Sequence, residues 1–156
     1  WNCRCVVVFY FGVADSIGCG DNRKAALITR ARKEICRRGV KMGGHMETFF
    51  GLSGIGDLIV TCASVHSRNR RAGYLIGQGY SMEEAMREVK MVVEGVYSAR
   101  AAMALAAKYD APLPIIEQVN AVLFDGKPAR QAMADLMMRD KKIEITDDIE
   151  WEKPDR

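Results

Sequence analysis

The chain has 156 residues, 49% of them hydrophobic and 28% charged, with a formal net charge of +3 and a mean hydropathy of −0.11. That is the profile of one ordinary globular domain, long enough to bury a core. So mild a charge gives no argument for nucleic acid, and the apolar run at residues 5–11 is too short to span a bilayer and lacks a signal-peptide cleavage site.

The five cysteines, at 3, 5, 19, 36 and 62, are odd in number and show no paired CxxC spacing. They read as buried thiols of a reducing cytosol rather than as disulfides or zinc ligands. With only His45 and His66 available, a His-based metal site is not expected.

The opening, Trp1-Asn2-Cys3-Arg4-Cys5, is abrupt, lacks an initiator methionine and leads into VVVFYF. By propensity residues 6–11 form a buried strand; a buried helix that uses glycines for close packing fits equally well. Asp21-Asn22 is expected to cap a helix over residues 23–38, with Leu27, Ala31 and Ile35 on its apolar stripe and Gly39 as its left-handed C-cap. The opposite face carries seven arginines and lysines against Glu34 alone, and reads as solvated.

Residues 51–71, GLSGIGDLIVTCASVHSRNRR, hold a glycine-loosened turn, a carboxylate, a threonine and a basic cluster. Asp57 and Thr61 stand four apart and share a helix face. Ser67 is the N-cap of a helix that continues to residue 76. Free N–H groups, a positive dipole end and arginines together suit a phosphate; a plain solvated basic helix start is the alternative. Further on, Ser81-Met82-Glu83-Glu84 matches a capping box for a helix to about residue 89. Residues 91–95 are a short link, and 96–108 form an alanine-rich helix. Pro114 opens a helix to residue 124, and Pro128 opens the last one, with a stripe of Ala129, Ala132, Met133, Leu136 and Met137. From Asp140 the pattern dissolves into an acidic tail, residues 141–156, expected to be flexible. Seven or so helices without strand alternation predict an all-α domain over residues 1–140, with an atypical start at 1–11. No GxGxxG lies between a strand and a helix, so no dinucleotide-binding Rossmann unit is expected in this chain.

GDN at 20–22 followed by KAALITR at 24–30, ETF at 47–49, GLSGIGDL at 51–58, TC at 61–62, SRNRR at 67–71 and VVEGV at 92–96 resemble the bacterial NAD(P)-dependent glycerol-3-phosphate dehydrogenases. The blocks keep that family's order and spacing over residues 12–140, and match only its C-terminal half. The resemblance implies an all-α fold similar to the C-terminal domain of the 6-phosphogluconate dehydrogenase-like superfamily, in a cytoplasmic oxidoreductase. It also implies reduction of dihydroxyacetone phosphate to sn-glycerol 3-phosphate with NADH or NADPH, and a Rossmann domain as partner outside this chain. It gives Asp57 an active-site role; Asp57, Thr61, Ser67, Arg68 and Asn69 substrate contacts; and Arg68, Val92 and Glu94 cofactor contacts.

One position departs from the family. Its catalytic lysine, in a Lys-Asn-Val motif, falls on Arg4, followed by Cys5 in place of asparagine. Arginine stays protonated at any working pH and is a poor proton donor or acceptor. The isolated chain is therefore expected to be inactive. A face left uncovered by the Rossmann domain, including part of residues 6–11, is expected to expose apolar surface and favour a homodimer. The alternative function is a non-catalytic helical binding or oligomerisation module using the basic start at residues 67–71; neither nucleic acid nor a membrane is an expected partner.

Overall fold

A computed structural model describes residues 2–139 of the chain. Among the described residues there are nine α-helices, one π-helical turn and no strand, so the all-α expectation holds and the helix count exceeds the seven expected. The acidic tail at 141–156 lies outside the described residues.

The helix α1 (Asn2–Ser16) is the middle of the molecule. Val6, Val7, Val8, Phe9, Tyr10 and Val13 are all buried, which corrects both the strand reading and the expected exposure of residues 6–11. A run that is apolar on every side has no amphipathic period, and it folds as a helix because other helices surround it. Glycines make that enclosure possible. The helix α5 (Arg68–Gly77) lies so close that a Cβ at Gly12 would come 2.0 Å from the Arg70 carbonyl oxygen, and one at Gly73 1.8 Å from that of Phe9.

The second helix, α2 (Asp21–Lys41), starts at Asp21 with Gly20 as its N-cap, and runs through Gly39. Gly39 is therefore not a C-cap. A Cβ there would meet the Phe49 ring at 2.0 Å, so the glycine makes room for α3 (Met46–Phe50). The left-handed residue after the helix is Gly43, at φ +88°.

The basic face of α2 is also not the solvated face expected. Arg30 donates to the Leu136 carbonyl, Arg37 to that of Pro112 at 3.4 Å, and Arg38 is buried. Arg32 lies over the Phe50 ring, 4.7 Å from its centroid. Long side chains on one helix thus answer carbonyls that neighbouring segments leave without a helical partner.

Glu34, buried on the same helix, accepts the Ile115 N–H on both carboxyl oxygens, at 2.9 and 3.1 Å. Ile115 sits in the first turn of α8 (Pro114–Phe124), so the Glu34 carboxyl group caps a helix from another part of the chain.

The remaining helices follow their sequence signals. Ser81 and Glu84 close the capping box on α6 (Met82–Val89). α7 (Glu94–Lys108) starts two residues before the expected position, and α9 (Ala129–Met138) follows Pro128. All five cysteines are buried and free. No helix among the described residues is long and apolar enough to cross a membrane, and no group of three or more His, Cys, Asp or Glu side chains there is placed to hold a metal ion.

Candidate functional site

The first turn of α1 meets three other helix starts. The π-helical turn Leu52–Gly56 delivers the chain to Asp57, the first residue of α4 (Asp57–Ala63). Such turns are rare, and this one needs a glycine: a Cβ at Gly54 would stand 2.3 Å from the Phe49 carbonyl oxygen. The Asp57 carboxylate forms an ion pair with Arg4, and both side chains are about one-third exposed. One turn on, the Thr61 hydroxyl donates to the Asp57 carbonyl at 2.6 Å and lies 3.4 Å from its carboxylate. The shared face expected for Asp57 and Thr61 is present, with Arg4 added to it.

Ser67 caps α5 as its sequence indicates: its hydroxyl accepts the Arg70 N–H at 3.4 Å. The basic cluster then divides. Arg70 turns inward and donates to Asp15 of α1 at 2.6 Å, and Lys24 of α2 reaches the same carboxylate at 3.3 Å. Arg68, half-buried, forms no ion pair among the described residues. Of the cations at this helix start, Arg70 is thus spent on tertiary structure. Sequence reasoning missed Asp15; an acid at the end of an otherwise apolar run was the available signal.

Asn69 is fixed by chemistry as well as by geometry. Its side-chain oxygen accepts the Gly95 N–H at 2.8 Å, and because an N–H requires an acceptor, the NH2 group must point the other way. This bond ties the start of α5 to the start of α7. A Cβ at Gly95 would come 2.7 Å from the Cys5 carbonyl oxygen, so α1, α5 and α7 meet at this glycine. Beside it, the Cys5 thiol donates to the Glu94 carboxylate at 3.4 Å. Burial, then the hydrogen bond to Glu94, pushes the Cys5 thiol up, and it stays protonated. Val92 and Glu94 are exposed, whereas Val93 between them is buried.

The structure therefore joins Arg4, Asp57 and Thr61 in one group, and Cys5, Asn69, Glu94 and Gly95 in another, both at the first turn of α1. Its chemical capacity is uneven. The α5 start and Arg68 offer N–H donors and a positive charge to an oxyanion. Arg4 supplies charge to Asp57 without an exchangeable proton at working pH. No strand–turn–helix phosphate cradle for a dinucleotide exists among the described residues.

Large apolar side chains are exposed on the elements that carry these residues. They are Leu52, at 90% exposure, with Ile59 and Val60 near Asp57, and Met91, Val92 and Tyr97 around Glu94.

Comparison with known proteins identifies the family of the chain. Residues 3–134 match the family model for the NAD-dependent glycerol-3-phosphate dehydrogenase C-terminus. The chain is 62% identical over 146 residues to a glycerol-3-phosphate dehydrogenase [NAD(P)+] of Agathobacter rectalis, covering 94% of this chain and 43% of that protein. It is 52% identical over 142 residues to the Bacillus subtilis protein of the same name, covering 91% of this chain and 41% of the relative. The crystal structure of a glycerol-3-phosphate dehydrogenase from Coxiella burnetii superposes with a TM-score of 0.86 at 36% identity, over 88% of this chain and 42% of that one. The chain thus spans about two fifths of the length of these relatives.

Proposed function

Because the chain belongs to the NAD-dependent glycerol-3-phosphate dehydrogenase C-terminal family, we propose that it is the substrate-binding part of such an enzyme, acting on sn-glycerol 3-phosphate or dihydroxyacetone phosphate in the cytoplasm. The observation that carries this reading is the start of α5: a capped helix N-terminus with Arg68 outside any ion pair among the described residues, close in sequence to an Asp57 already neutralised by Arg4. The phosphate sits against the α5 N–H groups, Ser67 and Arg68, with Asn69 in the same first turn. Asp57 and Thr61 face the hydroxyl end. NAD or NADP, when bound on a Rossmann domain, supplies or accepts the hydride, and Arg68, Val92 and Glu94 form this chain's edge of that contact. With arginine at position 4, the chain holds charge near the reacting carbon but has no group there to move a proton. By itself it binds and does not turn over.

Titration with glycerol 3-phosphate followed by calorimetry or NMR tests the reading. Arg68→Ala removes a charge-assisted contact worth about 1.5–3 kcal/mol, a loss of roughly ten- to hundredfold in affinity. Arg37→Ala, at a guanidinium that donates to the Pro112 carbonyl, leaves the affinity unchanged, and Asp57→Asn leaves the binding of inorganic phosphate unchanged or tighter, since it removes a negative charge. Equal weakening by Arg68→Ala and Arg37→Ala would show only a basic surface.

A further inference from the structure

A second concavity lies on the other side of Arg4, between α1, the C-terminal half of α2, α3 and the π-helical turn. It has a volume of about 310 Å³, within the size range of small-molecule sites. Its walls are apolar, built from Ile35, Met42, Phe49, Ile55 and Leu58. No Asp or Glu lines it, yet three arginines do: Arg4, Arg32 and Arg38.

Two of these have their charge or their plane answered. Arg4 is paired with Asp57, and Arg32 lies against the Phe50 ring. Arg38 is different. It is only 9% exposed, its Nη1 touches the Cys3 thiol, and its Nε is buried without a hydrogen-bond partner. Burial dominates at Cys3 and pushes that thiol up, so it stays protonated and offers no negative charge. Arg38 makes no ion pair among the described residues, and a buried charge without a counter-charge is costly unless something supplies one.

We propose that this cavity is a binding site for a small organic anion: a carboxylate with a short apolar body, its head on Arg38 and its chain against Ile35, Phe49 and Leu58. A guanidinium takes a carboxylate in a two-point fork, and a single buried cation selects a monoanion. The walls reject a bare, fully hydrated anion, because they offer it little but hydrocarbon. The site is separate from the α5 start and does not depend on the dehydrogenase reading. Arg4 lines the cavity and pairs with Asp57, so an occupant here stands next to the Arg4–Asp57 pair.

The test is binding of hexanoate to the full chain, with hexan-1-ol and acetate as the two half-ligands, followed by NMR on the backbone amides of Gly39, Gly44 and Gly54, which line the cavity. Hexanoate is expected to bind more tightly than either half-ligand and to shift those amides. Arg38→Leu, with Arg38→Met as a second variant of different shape, is expected to weaken hexanoate roughly tenfold or more while leaving hexan-1-ol unchanged or tighter. Arg37→Ala, on the same helix, should leave hexanoate unchanged. Three results would overturn the proposal: equal affinity for hexanoate and hexan-1-ol, hexanoate binding that survives both Arg38 variants, or shifts confined to residues outside the cavity.

Discussion

A buried carboxylic acid that caps a helix makes stability depend on pH in an unusual direction. Burial pushes the Glu34 carboxyl up from 4.5 to about 8, more than the Ile115 N–H lowers it, with Glu117 adding to the rise and Arg37 and Arg139 opposing it. The native state therefore keeps a proton that the unfolded chain releases above its ordinary value. Stability falls as pH rises between those two values, and the loss is complete above the higher one. Glu34→Gln keeps an oxygen for the Ile115 N–H and cannot ionise. Urea denaturation at about pH 5 and about pH 9 should show a smaller drop in stability for Glu34→Gln than for the parent chain. An equal drop in both would mean that the carboxyl is not protonated in the folded state. The same scale separates the arginines: Arg70 holds Asp15, Arg30 and Arg37 hold carbonyls, and Arg68 has no ion pair among the described residues. Residue type alone could not divide them.

At the scale of elements, the α1–α5 seam is the most demanding contact. Gly73→Ala places a methyl 1.8 Å from the Phe9 carbonyl oxygen, a backbone atom that cannot rotate away. The helices must separate, at a cost of about 3 kcal/mol, read as a lower denaturation midpoint; a neutral result would mean that the helices are not so close. Helix ends with local chemistry were legible in sequence: Ser67, the Ser81–Glu84 box and Pro114 each mark a start that the structure shows. α1 was not, because a run apolar on every side carries no period to separate strand from helix. Gly39 misled for a related reason, since a glycine that admits an aromatic ring looks the same in sequence as one that ends a helix. In the candidate site, Asp57 and Thr61 were legible because i, i+4 spacing is local. The Asn69–Gly95 and Cys5–Glu94 contacts join residues 26 and 89 positions apart, and no local rule connects them.

The whole molecule buries its most apolar segment in the centre and leaves a different apolar surface outside. Leu52, Val60, Met91, Val92 and Tyr97 are each more than half exposed, and they lie close in sequence to the residues proposed for substrate and cofactor. Surface of this kind tends to acquire a partner. Light scattering should show the isolated chain associating as concentration rises, and Val60→Ser combined with Val92→Ser should reduce that association without changing the helical circular dichroism. Association untouched by the double variant would place the contact elsewhere.

The five buried thiols also make the fold a clock for its own opening. Cys3 and Cys5 report on α1, Cys36 on α2, Cys62 on α4, and Cys19 on the turn between the first two helices. Burial pushes Cys62 up to about 12, and a thiol without thiolate or access reacts with a maleimide only when its surroundings part. Labelling followed by mass spectrometry therefore times the departure of each helix from the rest. Cys62, with no exposure, should be modified no faster than the whole chain unfolds, and Cys36, at the rim of α2, ahead of it. If Cys62 reacts first, α4 and the Asp57 it carries move independently of the core.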